Sequence, residues 1–155
     1  MNDYERRVLD NIARVGCHVT SVFDHEGRSP PYSYSVGIAR TRGAPELIVV
    51  GLPSDVGGPL VNAYHDRVAA GERFSPMARD AGFLEGYDVI FVPVSREARA
   101  HDMLSACWLH GGPDFDALQM VWPDDDGTWP WDANAADAFR AEQPLLNEDA
   151  TCSSP

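Results

Sequence analysis

The sequence lacks long hydrophobic runs and is poor in cysteine, and each shortage excludes a class of protein. No stretch of about 18 apolar residues, the length that spans a membrane, occurs in the 155 residues. The three cysteines form no Cys-x-x-Cys pair, so no disulfide framework is indicated. The first residues, MNDYERRVLDN, are charged and do not resemble a secretory signal. We therefore expect a soluble protein of the reducing cytoplasm.

Basic residues are also scarce. Twelve arginines, with no lysine, oppose 24 aspartates and glutamates, which gives a formal net charge of −12 and a pI near 4.6. Phosphate groups repel such a chain, so neither nucleic acid nor an anionic membrane is an expected partner. Solubility alone explains an acidic surface, and a basic protein partner is the alternative explanation.

The composition fits one globular domain, with 44% hydrophobic and 23% charged residues. A chain of this length buries enough surface to fold without disulfides or a structural metal. We expect a single α+β domain at residues 1–146. The last segment, residues 147–155 (NEDATCSSP), is expected to be a disordered tail.

Two hydrophobic patterns predict the beginning of a sheet. Residues 32–38, YSYSVGI, place Tyr, Val and Ile on one face and Ser and Gly on the other, as a half-buried strand does. The β-branched residues 17–23 are expected to pair with this strand as a hairpin. Residues 46–52, ELIVVGL, are almost continuously apolar, and such a run at a wet edge would invite aggregation. This run therefore predicts a central strand.

The other elements follow from periodicity and from Gly and Pro signals. A first helix is expected from Asp3, as its cap, to about Val15. The strand at residues 87–94 is expected at an edge or to end at Pro93. The remaining expectations are helices at 54–71, 96–110 and 133–142, a strand at 117–122, and irregular structure at 72–86. This order predicts a curved, mainly antiparallel sheet or a partly closed barrel, with flanking helices.

Common catalytic and nucleotide-binding motifs are absent from the sequence. It contains no GxGxxG, P-loop, HExxH or GxSxG pattern. The acidic run at residues 123–127, PDDDG, lacks the ligand spacing of a calcium loop. We interpret it as a hairpin turn in which Gly127 supplies a positive φ.

Cys107 and His110 lie three residues apart on a predicted helix, with His101 earlier on the same helix. Zinc binds such side chains, but a site needs three or four ligands. The other histidines are scattered over different elements, so we predict no metal site. Cys107 is either a nucleophile beside a histidine or a cysteine buried in a helix, and we favour burial.

Three of the four tryptophans, Trp122, Trp129 and Trp131, fall within ten residues of one another. Such a cluster forms either a small core under a loop or the aromatic wall of a pocket. In both cases the segment is expected to be ordered, because three exposed indoles would leave a large apolar surface in water.

Four segments carry a resemblance to a known family: PPYSYSVGI, GAPELIVVGLP, FDALQMVWPDDDGTWPW and QPLL. Through them the chain resembles the DUF4262 family, an uncharacterised bacterial domain, over roughly residues 14–146. The matching positions are Tyr34, Gly37, Pro45, Glu46, Leu47, Gln119, Trp122, Pro123, Asp124, Gln143 and Pro144. The family commonly has a histidine where this chain has Ala44, and an aromatic residue where it has His110. The resemblance implies no particular activity.

Polar residues near strand ends, together with aromatic residues, are typical of small-molecule sites. We predict an aromatic and polar pocket, for binding or for catalysis, formed by five residues: Tyr34, Glu46, Gln119, Trp122 and Asp124. Glu46 is the clearest candidate, because a charged residue opening an apolar strand must reach solvent, a partner or a ligand.

The element order also resembles that of flavin-binding split barrels, which is an analogy of fold only. Arg40, Arg42 and Arg73 are the candidates to bind the phosphate of such a cofactor. The cofactor, if there is one, and the reaction stay open. Two alternatives remain: an acidic protein-binding module of the antitoxin or immunity type that binds a basic protein, and a metal-assisted hydrolase.

Overall fold

The computed structural model describes residues 1–147, which contain six helices and six strands. The helices are α1 Asp3–Val15, α2 Ile38–Arg42, α3 Ser54–Ala69, α4 Arg96–Asp102, α5 Leu104–His110 and α6 Asp137–Glu142. The strands are β1 His18–Val22, β2 Tyr32–Val36, β3 Glu46–Val50, β4 Arg79–Leu84, β5 Tyr87–Pro93 and β6 Ala117–Val121. This content confirms the predicted α+β class.

The strands form one mixed sheet in the order β1-β2-β3-β6-β5-β4. All neighbouring pairs are antiparallel except β3 and β6, which are parallel, with Ile48 opposite Gln119. The central position predicted for the apolar run is confirmed, because β3 is the third of six strands. β5 lies inside the sheet, so Pro93 marks the end of a strand and not an edge.

Helices cover both faces of the sheet, which explains why β3 is apolar on both sides. On one face, Leu47 and Val49 pack with the buried side of α3, including Tyr64. On the other face, Ile48 and Val50 pack with buried residues of α1 and α5. All five residues of β3 are buried, Glu46 among them.

Several boundaries differ from the predicted ones for local reasons. β2 ends at Val36 because Gly37 adopts a left-handed φ of 111° and starts α2. The single helix expected at 96–110 is divided at Met103 into α4 and α5. β4 lies in the segment 72–86, which was expected to be irregular. The last helix, α6, begins at Asp137 instead of residue 133. The first helix is capped by Asn2, whose side chain accepts a hydrogen bond from the Glu5 N–H.

The sheet does not close into a barrel, so the open arrangement is the one found, with β1 and β4 at its edges. The tail expected at residues 147–155 lies, except for Asn147, outside the described residues. Within residues 1–147, no helix combines the length and the apolar character needed to cross a membrane.

Candidate functional site

A buried carboxylate lies at the start of β3. Glu46 is 0% exposed. Its Oε1 accepts hydrogen bonds from Ser35 Oγ at 2.7 Å and from the Ile38 N–H at 3.0 Å. Its Oε2 accepts from the N–H groups of Gly37 at 3.0 Å and Ala39 at 3.2 Å. An ionised carboxylate can only accept hydrogen bonds, so four donors directed at one side chain stabilise its negative charge.

The turn from β2 into α2 brings these donors together. β2 and β3 are antiparallel, with Tyr34 opposite Ile48, so the end of β2 lies beside the start of β3. Gly37 turns the chain so that the first N–H groups of α2 point at the carboxylate. A Cβ at Gly37 would lie 2.8 Å from Ile12 Cγ1, so packing as well as φ requires glycine there.

The fifth donor to Glu46 is a histidine from the other half of the chain. Nε2 of His110, the last residue of α5, lies 2.8 Å from Glu46 Oε2. The His110 side chain is 13% exposed and its ring packs on Phe115, with the ring centroids 4.8 Å apart. Because the carboxylate already accepts four hydrogen bonds, the consistent assignment places a proton on Nε2 and leaves Nδ1 as an acceptor.

The second ring nitrogen of His110, Nδ1, is not fully buried. Within residues 1–147, Nδ1 has no hydrogen-bond partner, whereas every fully buried side-chain nitrogen or oxygen there has one. Nδ1 is therefore not enclosed, although most of the ring is covered. The pair thus consists of a fully buried carboxylate and an imidazole whose second nitrogen has no partner and is not fully buried.

His110 lines a cleft of about 340 Å³. One wall comes from Ala39, Arg40 and residues 43–45, and the other from His110 and residues 114–116. The cleft therefore lies between α2 with its following loop and the chain that connects α5 to β6. Its volume is at the lower end of the range of small-molecule sites, about 300–1,000 Å³.

The arrangement suits proton abstraction. If Nδ1 takes a proton, the ring becomes cationic, and the Glu46 carboxylate 2.8 Å from Nε2 stabilises that charge. The position of His110 at the C-terminal end of α5 favours a cation in the same way. Glu46 also fixes the ring orientation, because its own position is set by Ser35 and three backbone N–H groups.

The structure gives the five predicted pocket residues separate hydrogen-bond partners, although the sheet places Tyr34 and Gln119 on either side of Ile48. Glu46 is hydrogen-bonded to a residue of the cleft, whereas the hydrogen bonds of the other four go elsewhere. The Tyr34 hydroxyl accepts from the Ser105 N–H, and burial raises the pKa of that phenol. Gln119 is fully buried, donates to the Pro144 carbonyl and accepts from the Leu146 N–H, so it fastens the C-terminal segment to β6.

Trp122 and Asp124 also have local roles. Trp122 donates from Nε1 to the Val50 carbonyl, and its ring packs edge-on against Phe139 of α6. Asp124 Oδ1 accepts from the N–H groups of Asp126 and Thr128, inside the predicted turn. Gly127 has a φ of 81°, as the turn interpretation requires.

The other two tryptophans pack as a stacked pair. The rings of Trp129 and Trp131 are parallel, with centroids 5.4 Å apart, and the guanidinium of Arg79 lies over Trp129. Trp129 is buried against Ile90 and other residues of the sheet, while Trp131 is 41% exposed. The inner part of the segment is therefore a small core.

The two cysteines within residues 1–147, Cys17 and Cys107, have environments that disfavour the thiolate. Burial raises the pKa of Cys17 to about 12, with the charge of Glu46 as a further cause. Burial also raises the pKa of Cys107, whose thiol donates to the Arg99 carbonyl. His110 is paired with Glu46 and not with Cys107. Within residues 1–147, no group of three or more His, Cys, Asp and Glu side chains is placed to hold a metal ion.

Of the three arginines proposed for phosphate binding, Arg40 alone lines the cleft. Arg42 donates to His65 Nε2, and Arg73 donates to backbone carbonyls, including that of Arg42. Ala44 lines the cleft together with His110.

The fold and this site define an α+β domain built around a buried carboxylate–imidazole pair beside a small cleft. A family model described as "Domain of unknown function (DUF4262)" matches residues 11–136, and the chain belongs to this family. The resemblance read from the sequence is thereby confirmed. No curated protein and no solved structure matches the chain.

Proposed function

We propose that the cleft binds a small molecule and that His110 removes a proton from it. Glu46 positions the imidazole and stabilises the positive charge that the ring then gains. The observation that supports this is the 2.8 Å contact between His110 Nε2 and a carboxylate that is 0% exposed. A buried charge is retained where it is fully hydrogen-bonded. Here one of its partners opens onto a cleft.

In the proposed reaction the proton passes from the ligand to Nδ1, and Nε2 keeps its proton and its hydrogen bond to Glu46. The negative charge left on the ligand is the reactive product of this step. General-base catalysis of this kind contributes about 10²–10⁴-fold to a rate. Glu46 does not touch the ligand, so it is a positioning residue, while His110 is the proposed catalytic residue.

The first test is the tautomer of His110. Long-range ¹H–¹⁵N NMR spectra distinguish protonated from unprotonated ring nitrogens, and a His110→Phe variant identifies which signals belong to this ring. We expect a proton on Nε2 and a free Nδ1 in the neutral form. A proton on Nδ1 would contradict the assignment, because Nε2 would then have no proton to share with the carboxylate.

The second test is a screen of small polar compounds, followed through the ring signals of the histidines. His101 is the matched control, because its side chain is 84% exposed and is not among those that line the cleft. We expect binders to perturb His110 and not His101, and to lose affinity in His110→Phe but not in His101→Phe. The proposal fails if no compound perturbs His110 more than His101.

A basic protein partner is the second candidate, and the charge of −12 favours it. An exposed apolar pair, Leu104 at 64% and Trp108 at 40%, lies beside Glu5 and could accept such a partner. Native mass spectrometry of protein purified without added ligand separates the candidates. A small added mass that is absent from His110→Phe supports the first, and a stoichiometric basic protein supports the second.

A further inference from the structure

Arg40 is a cation without a carboxylate partner on the wall of the cleft. One of its nitrogens, Nη2, donates to the Leu109 carbonyl at 2.9 Å, next to His110 in the chain. No Asp or Glu side chain within residues 1–147 forms an ion pair with Arg40. A guanidinium has five N–H donors, so this one is held in place and still has donors for a ligand.

Asp116 supplies the opposite charge in the same cleft. Its backbone carbonyl accepts from the Glu46 N–H, which fixes the residue at the start of β6. Its carboxylate has no ion pair or hydrogen bond within the described part of the chain. The neighbouring Asp114 is different, because Arg96 already pairs with it at 2.9 Å. The cleft therefore presents one unpaired cation, one unpaired anion and the basic nitrogen of His110.

We infer, on the basis of the proposed function, that the ligand of this cleft is a small zwitterion of the amino-acid type. Its carboxylate is bound by Arg40 and its ammonium group by Asp116. A guanidinium recognises a carboxylate through two parallel hydrogen bonds. The cleft of about 340 Å³ suits a ligand of this size.

The charge of the whole protein favours a zwitterion over an anion. A chain with a net charge of −12 repels phosphate esters and dicarboxylates at long range, whereas a zwitterion has no net charge. An amine without a carboxylate would be attracted by the protein but would leave Arg40 unpaired. Only a ligand with both charges satisfies both side chains.

The test is a titration of the full chain with the standard L-amino acids, one at a time, followed through the His110 ring signals. The tightest binder is then compared with two analogues, the corresponding acid without the amine and the amine without the acid. We expect each analogue to bind about tenfold more weakly or worse, the loss that one charged contact causes. If the acid without the amine binds as tightly as the amino acid, the assignment of Asp116 is wrong. If the amine without the acid binds as tightly, the assignment of Arg40 is wrong.

Charge-removing variants give an independent readout. Arg40→Gln and Asp116→Asn are expected to weaken binding about tenfold each. Arg28→Gln and Asp125→Asn, which remove exposed charges outside the lining of the cleft, are expected to leave it unchanged. If no amino acid perturbs His110 but other polar compounds do, the zwitterion is wrong and the proposed function stands. If nothing perturbs His110, both fail.

Discussion

Replacing Glu46 by glutamine removes the negative charge of the buried carboxylate while keeping the shape of the side chain. The amide has one oxygen that accepts and one nitrogen that donates. If the nitrogen takes the place of Oε2, it faces the N–H groups of Gly37 and Ala39. If it takes the place of Oε1, it faces the N–H of Ile38. Either orientation leaves at least one buried backbone N–H without an acceptor.

The cost follows from these lost contacts. A buried donor without an acceptor costs about 1–3 kcal/mol. The remaining hydrogen bonds also weaken, because bonds to a charged acceptor are about twice as strong as neutral ones. We therefore expect Glu46→Gln to lower the free energy of unfolding by about 2–4 kcal/mol. The Ser35 hydroxyl can rotate to accept from the amide, which keeps the loss below the sum of all five contacts.

Urea denaturation measures this loss. With a slope near the middle of the usual range of about 1–3 kcal/mol per M, the midpoint should fall by about 1–2 M. Glu26→Gln is the matched control, because Glu26 pairs with Arg28 on the surface, where a substitution changes stability by about 0.5 kcal/mol or less. If both variants shift the midpoint equally, the hydrogen bonds to Glu46 do not stabilise the fold and our reasoning is wrong.

Three further predictions concern other parts of the fold. Trp122→Ala should lose about 3–5 kcal/mol of stability in urea without affecting ligand binding, and lost binding in a stable variant would contradict this. Gly51→Ala should cost about 2–5 kcal/mol, because its φ is 95° and a Cβ would lie 2.6 Å from the Glu142 carbonyl oxygen. The comparison for this variant is Gly27→Ala, which should cost only about 1–2 kcal/mol, because Gly27 has a φ of 68° but no neighbouring atom where the Cβ would lie. Burial, and then the charge of Arg42, lower the pKa of His65 in the folded state. Folding therefore favours the neutral imidazole, and this contribution to the free energy of unfolding is lost as the pH falls below 6.5. Urea midpoints at pH 7.5 and 5.5 should therefore differ less in His65→Gln than in the natural sequence.

Much of the fold could be predicted from local patterns. The continuous run in β3 matches the burial of all five of its residues. The alternation in β2 correctly indicated a strand, but Ser33 and Ser35 on its polar face are buried as well. β4 could not be found in this way, because it is a largely exposed edge strand with a glycine at position 82 and little apolar alternation. The break at Met103 had no Gly or Pro signal, so α4 and α5 were predicted as one helix.

Only one of the two residues of the candidate carboxylate–imidazole pair could be recognised from the sequence. Glu46 was recognisable, because a charged residue at the start of an apolar strand needs a partner. His110 was not, since 64 residues separate it from Glu46 and only the sheet brings the two together. Its nearness to Cys107 in the chain instead raised the question of a thiol site, for which burial of Cys107 was the favoured alternative. In the structure Cys107 contacts the Arg99 carbonyl and His110 contacts Glu46.

The parallel pairing of β3 with β6 has a consequence for folding. β1, β2 and β3 follow one another along the chain and pair locally, as do β4 and β5. The first three strands can therefore form early, while the contact of β3 with β6 must wait for closure of a long loop. Until that closure, the carboxylate of Glu46 has no imidazole partner. The pairing of Glu46 with His110 thus forms only when the two halves of the sheet have joined, and an incompletely folded chain lacks the carboxylate–imidazole pair.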